Sequence, residues 1–427
     1  MRKLTLVQFE YGRVPIGAIY LASGLEKEGV DFEIKVYPAR EPSLRGLQAL
    51  FAASGDILAV GSMIDMLPYV IVALKRVKED FPEKTIILGG HGPMAAAEDL
   101  LHRFEFIDFI IKADGVVSLP KLVRGIIEGR NMLDDVDGLV YRKKGKILGN
   151  KYSPYPHFSF LPAYHRIDIK PYSLFPIRTS SGCPYRCSFC SYPYLIKEKI
   201  VYRDMEKVIA EIKLIKELTQ GRKISIDIVD EGFMVNKKRV LEFCALLKKD
   251  KLNISWSCFG RVDRADEELL KSMSSSGCRS IFFGVESGSE RILRKTRKGF
   301  AVSDAIKILL CAKNYIKEIM ASFIFGFPFE TYNDFIDTVG VIKYLQAKKI
   351  RTQLSPLSPV RGSPIYSQYR KNLKFSPHAP CAITRLNSLP QESLDLIRNN
   401  PEIFYEYFYF AYKDLSRIMK LQATLKI

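Results

Sequence analysis

The chain has 427 residues, of which 47% are hydrophobic and 26% charged, as in a globular protein with room for two or three cores. No apolar run is long enough to cross a bilayer, and the first residues favour a strand over a signal peptide, so we expect a cytoplasmic protein. The formal charge of +18 comes from scattered Lys and Arg residues, without basic blocks interleaved with stacking aromatics, so nucleic-acid binding is not expected.

Residues 1–148 alternate strand-like and helix-like segments in the order that a parallel, doubly wound α/β domain requires. The predicted strands are Leu4–Gln8, Glu33–Tyr37, Ile57–Val60, Lys84–Leu88, Phe106–Lys112 and Gly138–Tyr141. The predicted helices are Ala18–Glu28, Tyr69–Phe81 and Leu119–Glu128, and a turn is expected at Arg142–Lys146.

Prolines interrupt this pattern in residues 149–174, which we interpret as a linker. Residues 175–363 supply six further strands, separated by helical segments. These strands are expected at Ile177–Thr179, Ile224–Val229, Asn253–Ser257, Ser280–Val285, Ala321–Phe325 and Thr352–Leu354. Six strands with right-handed crossovers predict a partial (β/α)6 barrel of TIM type, with its chemistry at the carboxyl ends of the strands. Residues 364–427 are rich in Phe and Tyr and are predicted to be mainly helical, with no role assigned.

Three of the eight cysteines cluster in the segment Ser181-Gly-Cys183-Pro-Tyr-Arg-Cys187-Ser-Phe-Cys190. A cubane iron–sulfur cluster uses four ligands and this loop supplies three, which leaves one iron open for a substrate or cofactor. A structural zinc site needs a fourth Cys or His close by. His165 lies well upstream, so zinc is the second interpretation. The remaining cysteines are widely spaced, and we expect them to be buried free thiols.

The cysteine spacing resembles that of the radical S-adenosylmethionine (SAM) superfamily, and Phe189 stands where that family usually has an aromatic residue. Further segments resemble family motifs in the same order within residues 175–365. They are Ile226-Asp-Ile-Val-Asp230-Glu231, Gly284-Val-Glu286-Ser287-Gly288, Lys298-Gly299, Gly326-Phe-Pro328-Phe-Glu330-Thr331 and Ser355-Pro-Leu-Ser-Pro. The resemblance implies a [4Fe-4S] cluster on Cys183, Cys187 and Cys190 whose open iron binds SAM.

The residues expected to contact SAM are Phe189, Asp230, Glu231, Arg261, Glu286, Ser287 and Lys298. A carboxylate such as Glu231 can accept a hydrogen bond from the SAM ammonium group, and Arg261 or Lys298 can pair with the SAM carboxylate. For Glu286, the alternative is a buried ion pair with Arg261. The glycines of the Gly-x-Glu-Ser-Gly segment permit close backbone approach to SAM, or are alternatively simple turn residues.

The N-terminal domain resembles the Rossmann-like cobalamin-binding domain that precedes many radical SAM barrels, through Pro15-Ile-Gly17-Ala-Ile-Tyr-Leu-Ala22, Val60-Gly61-Ser62-Met63, Gly89-Gly90-His91 and Lys112-Ala-Asp114-Gly115. The residues expected to contact cobalamin are Pro15, Gly17, Ser62, Met63, Gly89, Gly90, His91, Asp114 and Gly115. They fall at strand carboxyl ends, where doubly wound sheets bind ligands. The motif Asp-x-His-x-x-Gly, whose histidine ligates cobalt, is absent. Cobalamin is therefore expected to bind without it, and the alternative is a vestigial domain.

The resemblance implies reductive cleavage of SAM to a 5′-deoxyadenosyl radical and, with cobalamin, methylation of an unactivated carbon. One alternative is a radical SAM cyclase or rearrangement enzyme that uses cobalamin otherwise or not at all. A more distant alternative is a non-catalytic zinc or RNA-binding protein. The sequence identifies neither the small-molecule or peptide substrate nor a catalytic residue. A flavodoxin- or ferredoxin-type electron donor is implied as a partner, for which a basic surface is suitable.

Overall fold

The computed structural model describes residues 2–40, 42–112, 114–151, 161–192, 200–375 and 389–425. The chain forms two compact units. The N-terminal unit comprises Met1–Tyr172 and Arg385–Tyr405, and the barrel unit comprises Ser173–Thr384 and Glu406–Ile427. The C-terminal segment is thus divided between both units, a division that the predicted domain boundaries do not contain.

The N-terminal unit contains a seven-stranded sheet in the order β2-β1-β3-β4-β5-β6-β7. Its strands are β1 Leu4–Glu10, β2 Phe32–Pro38, β3 Ile57–Gly61, β4 Thr85–Gly89, β5 Phe109–Ile111, β6 Leu139–Lys143 and β7 Lys146–Gly149. The first five strands are parallel, whereas β6 and β7 pair antiparallel at one edge. The strand order runs from β1 to β2 on one side and continues with β3 on the other side of β1. In such doubly wound sheets, ligands bind in the crevice outside the carboxyl ends of the two strands where the order reverses, here β1 and β3.

Helices cover this sheet, and their apolar faces build its core. The α-helices are Ile16–Lys27, Leu44–Ala52, Leu67–Asp80, His91–Met94, Ala97–Arg103, Gly115–Glu128 and Gln391–Arg398. The last of these packs against Leu67–Asp80, where Arg76 Nη2 lies 2.5 Å from Glu392 Oε2. The apolar run Ile57–Val60 of β3 is fully buried, as expected for a parallel strand that is covered on both faces.

The barrel unit is built on a six-stranded parallel sheet in the order β15-β14-β13-β12-β11-β8. These strands are β8 Leu174–Ile177, β11 Ser225–Ile228, β12 Ser255–Gly260, β13 Cys278–Glu286, β14 Glu318–Phe325 and β15 Arg351–Pro356. Two small antiparallel ladders accompany the sheet: β9 Ser180–Ser181 with β10 Val201–Tyr202, and β16 Leu373–Phe375 with β17 Phe408–Phe410. Within the large sheet, each strand pairs with the sheet strand that follows it along the chain. The first and last strands, β8 and β15, are the two edges of the sheet and do not pair with each other, so the barrel is partial.

Alternation along the strands separates an outer face under the helices from an inner face. In β12, Trp256 and Cys258 lie on the outer face and are buried under the helices, whereas Phe259 lies on the inner face and is 47% exposed. Trp256 packs edge-to-face against Phe243 of the helix Lys237–Lys249, with ring centroids 5.4 Å apart. The helices of this unit are Met205–Leu218, Lys237–Lys249, Glu267–Ser275, Glu290–Lys295, Val302–Lys313, Tyr332–Ala347, Pro364–Tyr369 and Leu415–Thr424.

The predicted α/β class and the six barrel strands are confirmed, with ends shifted by a few residues. The strand predicted at Ile177–Thr179 ends at Ile177, because the next residues turn away into the small β9–β10 ladder. The turn predicted at Arg142–Lys146 is confined to the two residues between Lys143 and Lys146, which pair with each other in the antiparallel hairpin of β6 and β7. The structure adds unpredicted short helices at Leu44–Ala52, Ala97–Arg103 and Glu290–Lys295. No helix within the described ranges is long and apolar enough to span a membrane.

Candidate active site

The three clustered cysteines follow β9 on one loop at the carboxyl edge of the barrel sheet. The loop is held by main-chain hydrogen bonds: Ser188 N donates to Thr296 O at 3.0 Å, and Ile365 N donates to Ser188 O at 3.0 Å. Cys190 N donates to Cys187 O at 3.2 Å, which tightens the turn between these two cysteines. The cysteine loop is therefore anchored on both sides by the segments after β13 and β15.

All three thiols are free, and their environment suits a positively charged metal group. Cys187 is buried, while Cys183 and Cys190 are half-buried. Burial raises the pKa of Cys183, and burial with the nearby thiols and Glu286 raises the pKa of Cys190 to about 11. A bound metal group would offset this penalty, because cysteine ligates metals as the thiolate and a cation favours the charged form.

The three cysteines form a donor set that fits an iron–sulfur cluster. Among the described residues, no three His, Cys, Asp and Glu side chains converge closely enough to hold one metal ion. A cubane is a larger body that holds its thiolates further apart, and three cysteines on one loop match the set it needs with one iron left open. His165, the residue considered for zinc, belongs to the N-terminal unit, where its Nε2 lies 2.8 Å from Glu26 Oε1.

Two acidic residues lie just after β11, and they have different environments. Asp230 is fully buried and accepts hydrogen bonds from Thr179 N at 2.7 Å and from Ser180 Oγ at 2.7 Å. Burial raises its pKa despite these bonds. Glu231 is half-buried and accepts a hydrogen bond from Gly182 N at 3.2 Å, directly before the first cysteine. Asp230 thus ties β11 to the start of the cysteine loop, and Glu231 is the more accessible carboxylate.

Arg261, just after β12, lies against the cysteine loop. Its Nε donates to Asp263 Oδ1 at 2.9 Å and its Nη2 to Lys298 O at 2.5 Å, while Nη1 is 3.7 Å from Cys187 Sγ. The guanidinium also stacks 3.6 Å from the centroid of the Tyr185 ring. These contacts fix the group beside a prospective metal ligand. Tyr185 lies inside the cysteine motif, but its role in holding Arg261 has no signature in the sequence.

Glu286 and Lys298 form a buried ion pair at the end of β13, with Lys298 Nζ 3.1 Å from Glu286 Oε1. Glu286 therefore pairs with Lys298, and Arg261 pairs with Asp263, so the alternative Glu286–Arg261 pair is wrong. Glu286 adopts a φ of 75°, beside an irregularity in the strand register. A Cβ on Gly284 would lie 2.5 Å from Glu286 Oε1, at the end of a side chain that Lys298 holds in place.

Ser287 and Phe189 are mainly packed against protein. Ser287 is fully buried and its Oγ lies 2.9 Å from Thr338 Oγ1 on the helix Tyr332–Ala347. The Phe189 ring contacts Phe327 edge-to-face, with centroids 6.0 Å apart. These placements give both residues a structural role, and their contacts with SAM stay predictions.

Glu330, in the turn after β14, is a notable residue that the predicted site omits. It is buried, and its Oε2 accepts hydrogen bonds from Gly326 N at 2.6 Å and from Tyr412 Oη at 3.2 Å. Its Oε1 has no partner among the described residues. Burial raises its pKa to about 8, so the group is mainly protonated at neutral pH. The Gly-x-Pro-x-Glu-Thr motif pointed to this residue, but one of its two hydrogen-bond donors, Tyr412, comes from the distant C-terminal segment.

The carboxyl edge of the N-terminal sheet holds the residues expected to bind cobalamin. Ser62 follows β3, and its main chain is hydrogen-bonded to the segment at the end of β4. Ser62 N donates to Gly89 O and Gly92 N donates to Ser62 O, each at 2.9 Å. A Cβ on Gly90, which has a φ of 88°, would lie 2.7 Å from Ser62 O. Among the described residues, Gly89 has in contrast one atom within 4 Å of such a Cβ, namely Ile111 O at 3.9 Å.

The other residues of this edge are capping or exposed groups. Pro15 precedes the helix Ile16–Lys27, and a Cβ on Gly17 would lie 2.9 Å from Gln8 Oε1. Asp114 caps the helix Gly115–Glu128 by accepting from Val116 N at 3.1 Å. Met63 is 42% exposed and His91 is exposed. The structure thus brings these residues to one sheet edge. Gly90 is required there by its positive φ and by the close approach of Ser62 O.

Residues 177–342 match the Radical SAM superfamily. An uncharacterized methyltransferase of Pyrococcus horikoshii is 27% identical over 354 residues, which cover 78% of this chain and 73% of the relative. The methyltransferase TsrM of Kitasatospora setae, solved with cobalamin and a [4Fe-4S] cluster, matches with a TM-score of 0.72 at 17% identity over 92% of this chain and 84% of TsrM. The radical enzyme OxsB, solved with aqua-cobalamin and SAM, matches with a TM-score of 0.71 at 16% identity over 99% of this chain and 66% of OxsB. At these identities the two structures establish the shared fold.

Proposed function

The chain belongs to the radical SAM superfamily through residues 177–342, and we propose that it is a cobalamin-dependent enzyme that methylates an unactivated carbon. The observation that carries the proposal is the loop of three free thiols at the carboxyl edge of a partial parallel barrel, next to both acidic and basic strand ends. A [4Fe-4S] cluster on Cys183, Cys187 and Cys190, when bound, supplies the electron that cleaves SAM to methionine and a 5′-deoxyadenosyl radical.

The residues around the cysteine loop would bind and orient SAM. Glu231, half-buried beside Gly182, can accept a hydrogen bond from the SAM ammonium group. Lys298 and Glu286 form an ion pair at the end of β13, and Arg261 is held by Asp263 beside Cys187. Because their partners fix these side chains, the site is preorganised for a zwitterionic ligand with little cost of side-chain ordering.

The N-terminal unit would hold cobalamin at the crevice outside β1 and β3. TsrM and OxsB share this fold and were solved with cobalamin, and the topological switch lies at the same edge as Ser62 and Met63. Cobalamin, when bound, carries the methyl group. Since the motif with the cobalt-ligating histidine is absent and His91 has another contact, we propose binding without a histidine ligand.

A small-molecule substrate is the proposal that follows from the family comparison, because TsrM was solved with tryptophan as its substrate. A flavodoxin- or ferredoxin-type donor and a cytoplasmic location belong to the same proposal, since a reducing compartment supplies electrons and preserves free thiols. The cyclase or rearrangement alternative shares the cluster and SAM, and differs only in the fate of the radical.

Anaerobic purification with iron, sulfide and corrinoid quantified, followed by incubation with SAM and dithionite, tests the proposal. About four irons per chain, bound corrinoid, 5′-deoxyadenosine and transfer of a labelled methyl group are expected. Cys187→Ala should abolish cleavage, whereas Cys311→Ala, at a half-exposed thiol on the helix Val302–Lys313, should not. Zinc in place of iron, or a loaded cluster that leaves SAM intact, contradicts the proposal; cleavage without corrinoid favours the cyclase alternative.

A further inference from the structure

Three exposed basic residues lie directly behind the cysteine loop. They are Arg294 and Lys295, the last two residues of the helix Glu290–Lys295, and Arg297, just after it, and together we call them the basic turn. The residues between and after them, Thr296 and Lys298, are buried. The chain therefore presents three cations to solvent while its intervening side chains point into the barrel unit.

The main chain of the basic turn is hydrogen-bonded to the cysteine loop. Ser188 N donates to Thr296 O at 3.0 Å, and Ser188 Oγ donates to Lys295 O at 3.2 Å. Ser188 directly follows Cys187 in the chain. A partner seated on the basic turn would thus be one hydrogen bond and one residue from a prospective ligand of the cluster.

Ordinary helix chemistry explains only part of this charge. Arg294 and Lys295 lie in the last turn of a helix, where cations are favourable. Arg297 lies past the helix end with a φ of 60°, a conformation in which glycine or asparagine is usual. Within the described ranges neither arginine has a side-chain ion pair, and the nearby Glu290 is used to accept from Val302 N at 2.7 Å. The two arginines are therefore available to an external anion, whereas Lys295 Nζ lies 5.0 Å from the centroid of the Phe329 ring.

We propose that the basic turn is the docking surface for an acidic protein that carries single electrons, of the flavodoxin or ferredoxin class. The inference rests on the proposed function, because an oxidised cluster needs one electron before SAM can be cleaved. In the docked complex the donor is oxidised by one electron and the cluster is reduced by one, with no atom or proton transferred. Complementary charge steers the encounter and places the donor at the side of the protein nearest to the cysteines.

The test compares two reductants on the full-length, cluster-loaded enzyme. Photoreduced flavodoxin and dithionite are each supplied, and 5′-deoxyadenosine formation is followed for the wild type and for the variant R294E/K295E/R297E. We expect at least a tenfold slower flavodoxin-driven reaction at low salt and an unchanged dithionite-driven reaction, since a small reductant needs no docking surface. The wild-type rate with flavodoxin should also fall as salt is raised.

A matched control reverses three exposed lysines at the opposite, amino-terminal end of the barrel strands. In K223E/K249E/K251E the net charge changes equally, and Lys251, with a φ of 49°, parallels Arg297. This variant should keep both rates. If R294E/K295E/R297E does not load its cluster, Arg297→Gln alone should slow the flavodoxin-driven rate about threefold.

Each outcome has one meaning. An unchanged flavodoxin-driven rate in the basic-turn variants, or an equal loss in the control, overturns the docking surface. Absence of 5′-deoxyadenosine from the loaded wild type with dithionite overturns the proposed function instead, independently of any donor.

Discussion

The carboxyl edges of the two sheets are built differently, although both were expected to bind cofactors. At the barrel edge, charged side chains hold one another: Lys298 pairs with Glu286, and Arg261 pairs with Asp263 beside Cys187. At the N-terminal edge, contacts are made mainly by the main chain, and Gly90 is required because Ser62 O passes close to it. Charged residues at the strand ends thus indicate a site whose side chains are already held in place for a ligand. A glycine at a strand end can instead be required by the packing of the protein's own main chain, and this explanation should be tested before ligand binding is inferred.

The largest effect is expected from breaking the buried pair of the barrel edge. Lys298→Met leaves Glu286 buried without its partner, and should lower the free energy of unfolding by about 3–5 kcal/mol. Adding Glu286→Gln should recover much of this loss. Trp256, the one tryptophan of the chain, lies in the barrel unit, so its fluorescence in urea reports this unit selectively. An equal loss in single and double variants would mean that the lysine stabilises by packing alone.

The second effect concerns the pH dependence of the same unit. The pKa of Glu330 is raised from 4.5 to about 8, so the folded form binds a proton that the unfolded form releases between these values. Its contribution to stability is full below pH 4.5 and is lost as the pH rises to about 8. Glu330→Gln should therefore gain stability relative to the wild type by about 1.4 kcal/mol per pH unit in this window. A pH-independent difference in Trp256-monitored unfolding contradicts a protonated Glu330.

The paired glycines of the N-terminal edge separate structure from ligand binding. Gly90→Ala combines a positive φ with a clash against Ser62 O, and should destabilise the N-terminal unit by about 1–3 kcal/mol, measured by hydrogen exchange. Gly89→Ala meets no atom of the described residues closer than 3.9 Å and should change stability by less than about 0.5 kcal/mol. If the backbone at Gly89 approaches the corrinoid, this variant should nevertheless reduce bound corrinoid. Unchanged corrinoid content in Gly89→Ala would remove that glycine from the predicted site.

The smallest effect is expected on the cluster itself. Arg261→Gln removes a charged donor 3.7 Å from Cys187 Sγ, and should lower the reduction potential by about 59 mV, a tenfold change in the one-electron equilibrium. Arg264→Gln is the control, because Arg264 also contacts Tyr185 but has no contact with a cysteine within the described ranges. Redox titration followed by electron paramagnetic resonance measures both. Equal shifts in the two variants would assign the effect to Tyr185 and not to Arg261.

The sequence by itself determined the order of the main strands and helices, and it predicts the chemistry of the cysteine loop. Hydrophobic period and proline placement are local properties, and three thiols spaced along one loop can ligate one group wherever that loop lies. For this reason the six barrel strands could be predicted from the sequence, while the metal-ligand set on the cysteine loop stays a prediction.

Only the tertiary structure decided which partners the site residues have. Glu286 lies with Lys298 and not with Arg261, Tyr412 reaches Glu330 from the C-terminal segment, and Gly90 is explained by Ser62. These contacts join segments that are distant in the chain, and their energies depend on burial and distance, which the order of residues does not contain. The basic turn is the same case, since its cations gain their position behind Cys187 only when the chain folds.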